Sequence, residues 1–147
     1  MLKIKKFAVI CLLSLIFMTI LAYADKKNFD KGEELYLQQN YDLSRVFLEK
    51  AIVDDPYNEK AYLYLGNVYN HLKLYDKSIT TFRKGYDATK HNKTNREGIF
   101  LVNLGQSYRH SGEVEEAHNI FEQYKTIYGD KYPQIFLYNG MTTVILK

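Results

Sequence analysis

The sequence predicts an all-α protein built from repeated helical hairpins. From Asn58 to Tyr86, apolar residues recur every three or four positions in two short segments, which is the spacing of one helix face. A turn near Leu72–Leu74 joins the segments, and it is too short for anything but an antiparallel helical hairpin. The same pattern recurs on both sides of this stretch, so the hairpins are expected to stack into one domain.

Gly66 is the most informative residue of the central hairpin. It lies in the middle of the first segment, where glycine costs about 1 kcal/mol relative to alanine. We therefore expect the second helix to pass close to Gly66, which would make Gly66→Leu costly and Gly66→Ala mild. The residues expected on the facing sides of the two helices are Tyr62, Leu65, Tyr69, Tyr75, Ser78, Ile79 and Phe82.

The pattern around Gly66 recurs 34 residues earlier at Gly32 and 39 residues later at Gly105. The five extra residues of the second interval fit in the polar run 90–95, since connecting loops tolerate insertions. Each glycine is followed 12 and 16 positions later by a small residue and a large apolar residue. These pairs are Ser44 and Leu48, Ser78 and Phe82, and Ala117 and Phe121.

This pattern resembles the signature of the tetratricopeptide repeat (TPR), whose period is about 34 residues. The shared features are, in order, an aromatic residue, Leu-Gly, tyrosine, a small residue and phenylalanine. The resemblance covers roughly residues 28–128, and Asn28 and Leu101 depart from it by replacing aromatic residues. It implies a right-handed α-solenoid of about three TPR hairpins plus a C-terminal capping helix. The implied repeats are at about 25–58, 59–92 and 98–131, and the capping helix is at about 132–147.

Capping signals set the expected helix boundaries. Asp42 and Asn58 are expected N-caps, and Thr94 with Glu97 forms a capping box that should open the fifth helix. Gly129 is expected to end the sixth. The expected helices are at about Asn28–Gln39, Asp42–Asp54, Glu59–His71, Asp76–Thr89, from the capping box to His110, and Val114–Tyr128.

The tail from Tyr132 to Lys147 is expected to form the capping helix. Gly140 lies 35 residues after Gly105, in the glycine place of a fourth repeat, and the end of a solenoid needs a cover for its apolar face. A strand at Thr142–Leu146 is the competing interpretation, because β-branched residues follow one another there. A single strand has no sheet to join, so the helix is favoured.

Residues 1–24 have the pattern of a secretory signal peptide. Three lysines precede an apolar run, and Ala22-Tyr23-Ala24 forms a small-x-small cleavage site. The expected mature domain is therefore 25–147, in an exported protein that is periplasmic or secreted. The competing interpretation is an uncleaved N-terminal membrane anchor, which would be the chain's only expected contact with a membrane.

Cleavage changes the charge and the cysteine content of the chain. It would remove three of the 20 basic residues and no acidic residue, leaving 17 of each sign. The mature domain would have no net charge, which argues against nucleic acid as a partner. Cys11 would also be lost, so neither a disulfide nor a cysteine–metal site is expected.

A catalytic or metal site is not expected either. The scattered glycines do not form a phosphate-binding loop. His71 and His110 occupy equivalent places in the second and third repeats, but two histidines do not complete a metal site. The sequence thus predicts a protein that is not an enzyme and has no cofactor and no metal.

The resemblance implies a binding surface on the concave side, which the first helix of each repeat lines. Positions before and after the glycine, and one turn beyond, contact peptides in TPR relatives. Relatives that grip a C-terminal carboxylate need cations at places that hold Phe29, Ile99 and Asn103 here, which disfavours that mode. The groove residues implied for this chain are Phe29, Glu33, Tyr36, Tyr64, Asn67, Asn70, Asn103, Gln106 and Arg109.

These expectations combine into one functional hypothesis. The chain is expected to be a non-catalytic protein–protein interaction module or scaffold of the cell envelope, holding a protein or peptide partner in its concave groove. The groove amides would pair with a peptide backbone. The alternatives are a lipid- or small-ligand-binding helical protein, which would need apolar space between its helices, and a signal-anchored membrane assembly factor.

Overall fold

The computed structural model describes residues 10, 12–15 and 27–129. Residues 10 and 12–15 are helical and exposed, and the remaining described residues form six helices in sequence. The predicted capping helix at 132–147 lies outside the described residues, as does the signal segment apart from residues 10 and 12–15. The six helices are α1 (27–37), α2 (Tyr41–Asp54), α3 (Glu59–His71), α4 (Tyr75–Asn92), α5 (Glu97–Ser111) and α6 (Val114–Tyr128).

Each helix packs against the next along the chain, from α2 through to α6. The helix α3 also contacts α5, which brings the first helices of the second and third hairpins side by side. The described part of the chain is helical with short connecting turns, and the predicted all-α solenoid of helical hairpins is confirmed. None of its helices is both long and apolar enough to span a membrane.

The close contact expected at Gly66 is present, and the ring of Phe82 makes it. Phe82 is fully buried, and a Cβ added to Gly66 would lie 2.5 Å from the ring atoms Cε1 and Cζ. The first hairpin repeats this arrangement with Gly32 and the side chain of Leu48, and the third repeats it with Gly105 and Phe121. The sequence repeat is therefore a repeat of one packing contact, in which glycine makes room for a large side chain.

In the first two repeats the small residue adds a hydrogen bond to this contact. The Ser44 hydroxyl donates to the carbonyl oxygen of Gly32 at 2.7 Å, and the Ser78 hydroxyl donates to that of Gly66 at 2.9 Å. Both serines are fully buried, so these bonds satisfy groups that water does not reach. The third repeat has Ala117 at this place, which packs without a hydroxyl.

Two of the expected caps are wrong. The N-cap of α2 is Asn40, whose side chain accepts from the Leu43 backbone, and Asp42 lies in the first turn. The capping box at Thr94 does not form, because the Thr94 hydroxyl donates instead to the Glu59 carboxylate. The expected caps at Asn58 and Gly129 are confirmed. The expected bounds of α3 and α6 are also confirmed, whereas α4 extends to Asn92, three residues past Thr89.

The connection between α4 and α5 is fastened to the start of α3 by Glu59. The Glu59 side chain is only 5% exposed, and its carboxylate accepts from Asn92 Nδ2 at 2.8 Å and from the Thr94 hydroxyl at 3.0 Å. The Arg96 guanidinium lies 3.8 Å away. These donors offset the cost of burying a carboxylate, so the inserted residues are held against the body of the solenoid.

Candidate functional site

The candidate site is the wall formed by α1, α3 and α5, the first helices of the three hairpins. Each helix places its groove residues three or four positions apart, so each set lies along one helix face. Every one of these side chains is partly buried, which leaves part of each accessible from the wall. The nine residues are Phe29, Glu33, Tyr36, Tyr64, Asn67, Asn70, Asn103, Gln106 and Arg109.

Aromatic rings join α1 to α3 along this wall. The ring centroids of Phe29 and Tyr64 are 5.9 Å apart, and those of Tyr36 and Tyr64 are 5.2 Å apart. The ring planes meet at 60° and 73°, the edge-to-face geometry that the ring quadrupoles favour. The structure therefore brings three residues named from the sequence into one cluster, which we call the aromatic half of the wall.

Two further residues extend this cluster and were not anticipated from the sequence. Tyr41, at the start of α2, stacks on His71, at the end of α3, with 4.3 Å between centroids and 6° between planes. Tyr36 contacts both, at 5.8 and 5.9 Å. Tyr75 and His110 are in contact one hairpin later, at 5.8 Å, but their ring planes are tilted by 59° and not stacked. The sequence does contain a signal for this contact, because both residue types recur in matching places. A tyrosine begins the second helix of a hairpin, and a histidine lies at the end of the first helix of the next hairpin.

Glu33 sets the electrostatics of the aromatic half. Its carboxylate raises the pKa of the Tyr64 hydroxyl to about 12, first through hydrogen bonding and then, after burial, through its charge. Within residues 27–129, no lysine or arginine forms an ion pair with Glu33, whereas the adjacent Glu34 pairs with Lys31 at 2.9 Å. The aromatic half therefore carries one negative charge that has no ionic partner in the described part of the chain.

The polar half of the wall is formed by the amides of α3 and α5. Asn70 Nδ2 donates to the Ser107 hydroxyl at 2.9 Å, so Asn70 links the two helices. Asn103 Nδ2 donates to the carbonyl oxygen of Ile99 in its own helix at 2.7 Å. The side chains of Asn67 and Gln106 form no hydrogen bond with any residue that the structure describes. Of the four amides, these two have both their donor and acceptor groups available to a ligand.

The Asn70 link belongs to a buried network between repeats. Ser107 donates to the Asn103 carbonyl oxygen, and its hydroxyl lies 2.9 Å from that of Ser78, which donates to Gly66. The two hydroxyls thus make three contacts that each need a hydroxyl hydrogen, but they have only two hydrogens to donate. The network couples the polar half of the wall to the glycine contact beneath it.

Arg109 and His110 lie at the end of α5. Burial, and then the charge of Arg109, lower the pKa of His110. In the described part of the chain, no group of three histidine, cysteine, aspartate or glutamate side chains is placed to hold a metal ion. The side chains of the wall are aromatic rings, amides, one carboxylate and one guanidinium.

Several solved structures share this fold. The N-terminal domain of stress-induced protein-1 (STI-1) from C. elegans superposes with a TM-score of 0.75 at 17% identity, covering 84% of this chain and 97% of that domain. The first TPR of Spaghetti (RPAP3), bound to the HSP90 peptide SRMEEVD, gives 0.72 at 16% identity, over 83% and 92% of the two chains. These identities establish the shared fold and nothing more specific.

A bacterial protein of the same fold is also similar. The Yersinia enterocolitica type III secretion chaperone SycD, in complex with a peptide of the translocator YopD, gives a TM-score of 0.72 at 15% identity, covering 83% of this chain and 94% of SycD. No curated protein sequence matches the chain. The family model described as tetratricopeptide repeat matches residues 57–130, about half of the chain. The chain therefore belongs to the tetratricopeptide repeat family.

Proposed function

We propose that this protein is a non-catalytic interaction module of the cell envelope that holds a polypeptide partner against the wall of α1, α3 and α5. The observation that carries the proposal is the division of this wall into two halves of different chemistry. Three rings from two helices form an apolar contact surface in one half. In the other half, Asn67 and Gln106 offer amides that the described residues do not use.

A polypeptide is the ligand that uses both halves at once. Its side chains can pack on the rings, while its backbone N–H and C=O groups pair with amides that donate and accept. The two peptide-bound structures of similar fold support this class of ligand, since each contains a short polypeptide.

A strongly acidic ligand does not suit this wall. Of its nine residues only Arg109 is basic, and Glu33 is acidic. The places that a C-terminal carboxylate would require to be cationic hold Phe29, Ile99 and Asn103. We therefore propose an extended or helical partner that is held by ring packing and backbone hydrogen bonds rather than by its carboxylates.

The alternative of a lipid or small apolar ligand would need space between the helices. At the hairpin contacts that space is filled, because Phe82, Phe121 and Leu48 already lie closer to the glycines than an added Cβ would allow. An enzymatic role would need an assembled set of reactive groups, and the wall offers only rings, amides and single charges. Both observations favour a binding module.

The place of action in the proposal follows from the N-terminal segment. A lysine-rich start, an apolar run and the Ala22-Tyr23-Ala24 site are typical of a cleaved signal peptide, so we place the mature protein outside the cytoplasm. The competing proposal is an uncleaved anchor that leaves the TPR domain tethered to the membrane. Either form would present the wall to partners in the envelope.

A capture experiment with a matched pair of double variants tests the proposal. The full-length protein with Asn67→Ala and Gln106→Ala loses two wall amides that bind nothing else in the described structure, so its thermal melt should stay near wild type. Asn119→Ala with Gln123→Ala removes the same two residue types from exposed positions on α6. We expect envelope partners captured by wild type to be depleted only with the wall variant. Equal capture by both variants would contradict the proposed groove.

A further inference from the structure

The rings of the aromatic half of the wall meet edge to face and are not stacked on one another. Phe29, Tyr36 and Tyr64 meet at interplanar angles of 60° and 73°, so the edge of one ring points toward its neighbour. The stacked pair in this region is Tyr41 with His71, which lies beside Tyr36. Because the three rings are only partly buried, a side chain of the partner can reach them.

Glu33 lies on the same face of α1, between Phe29 and Tyr36. It is four positions after the first and three before the second, which places all three along one side of the helix. Its carboxylate also interacts with the Tyr64 hydroxyl across the gap to α3. A negative charge is thus held at the centre of the aromatic half, and the nearby Lys31 is occupied by Glu34.

Rings and a carboxylate together select the chemistry of a ligand. The negative face of an aromatic ring attracts a cation within about 6 Å of its centroid. A carboxylate supplies charge-assisted hydrogen bonds to an ammonium or guanidinium group. An apolar side chain would use the rings and leave the Glu33 charge without an ionic partner, and an acidic side chain would be repelled. A lysine or arginine side chain suits both the rings and the carboxylate, because its methylene groups pack on the rings while its charged head pairs with the carboxylate.

We infer that the aromatic half of the wall receives a lysine or arginine side chain of the bound polypeptide, with Glu33 as its counter-charge and Phe29, Tyr36 and Tyr64 as its walls. This inference rests on the proposed function, because it assigns one residue class of the partner to one part of the same groove. It adds a requirement that the fold alone does not impose, namely a basic residue at a fixed position of the partner.

Selection from a random peptide library on the immobilised full-length protein tests the inference. We expect the selected peptides to share a lysine or arginine at one aligned position. The same selection on Glu33→Gln should lose this preference while still enriching peptides, because the rings and amides remain. Glu34→Gln removes the same charge one residue away, from a carboxylate that is paired with Lys31, and should keep the preference.

A double-mutant cycle with one selected peptide gives the second readout. Replacing its conserved basic residue by methionine should weaken binding to the wild-type protein roughly fivefold, the upper end for a partly exposed ion pair. The same replacement should change binding to Glu33→Gln much less. Tyr36→Leu, which removes a ring and keeps the carboxylate, should also reduce the preference for the basic peptide. This variant provides an independent test if Glu33→Gln folds poorly.

The possible outcomes separate the inference from the proposed function. Enriched peptides without a shared basic position would overturn the inference and leave the peptide-binding groove standing. A basic preference that persists unchanged in both Glu33→Gln and Tyr36→Leu would also overturn it, since the cation would then bind elsewhere. If no peptide is enriched on the wild-type protein, the inference and the proposed function both fail.

Discussion

The ring of Phe82 occupies the space where a side chain at Gly66 would lie. A Cβ on Gly66 would be 2.5 Å from two atoms of that ring, a separation that folded proteins do not accommodate without movement. Phe82 is fully buried, so the ring can move only by disturbing its neighbours in the core. The sequence pattern led us to expect that Gly66→Ala would be mild, and the contact with Phe82 indicates that alanine still has a cost there.

We expect Gly66→Ala to lower the free energy of unfolding by about 1 kcal/mol. Overpacking a core costs about 1–3 kcal/mol, and the better helix propensity of alanine returns only part of this. Gly98→Ala is the matched control, because its Cβ would lie 3.1 Å from the Tyr124 ring and needs a smaller adjustment. Urea unfolding of both variants measures the difference. Equal stability of Gly66→Ala and wild type would show that the Phe82 ring can move away from the added methyl group without a measurable loss of stability.

The glycine contact also shows what the sequence alone could supply. The recurrence of Gly32, Gly66 and Gly105 with their later partners predicted the hairpins and their packing, because each contact lies within one hairpin at a fixed separation. The resemblance to the TPR that this recurrence carries implied that the first helices line one wall, where the rings of α1 and α3 meet. These features follow from helix periodicity and a repeat, both of which can be read along the chain.

Contacts between neighbouring repeats were harder to predict. Thr94 has the spacing of a capping box with Glu97, yet its hydroxyl donates to Glu59, which is 35 residues away. Local sequence could not show that a buried carboxylate would compete successfully for this donor. The stacking of Tyr41 on His71 similarly depends on how one repeat is rotated against the next, which the spacing within a repeat does not determine.

Glu59 provides a test of how the inserted residues are held. We expect Glu59→Ala to lower the free energy of unfolding by about 2 kcal/mol, because it removes the charged acceptor to which Asn92 and Thr94 donate. It should also make residues 93–96 more susceptible to limited proteolysis. Glu116→Ala, at an exposed position on α6, is the control and should have little effect on either. If the rate of proteolysis is unchanged in Glu59→Ala, Glu59 does not hold the connection between α4 and α5 against the start of α3.

The pairing of Glu33 with Tyr64 predicts a distinct alkaline titration. The Tyr64 pKa of about 12 in the folded protein lies above that of an unfolded chain, where tyrosine titrates near about 10. The folded state thus holds this proton more tightly. Its contribution to stability is complete below about pH 10 and is lost as the pH rises through about 12.

The difference in tyrosinate absorbance between wild type and Tyr64→Phe measures this group. We expect a transition near pH 12 in the wild-type background. The transition should move toward about pH 10 in a Glu33→Gln background, because the carboxylate is the largest cause of the shift. A transition that does not respond to Glu33→Gln would show that the two side chains do not interact.

The signal segment predicts the start of the mature protein. We expect export to remove residues 1–24, so that the chain begins at Asp25, because a small-x-small site follows the apolar run. Intact-mass measurement of the protein recovered from the envelope tests this. A mass that retains residues 1–24 would favour the anchored form over the released one.

The most direct test of the central claim is to map the bound polypeptide on the protein by NMR. A selected peptide is titrated into the full-length, ¹⁵N-labelled protein, and the side-chain amide resonances of Asn67 and Gln106 are followed together with the backbone amides. We expect the largest shifts at these amides and along α1, α3 and α5, with little change at Asn119 and Gln123 on α6. Shifts confined to α2, α4 and α6 would place the partner away from the wall and contradict the account.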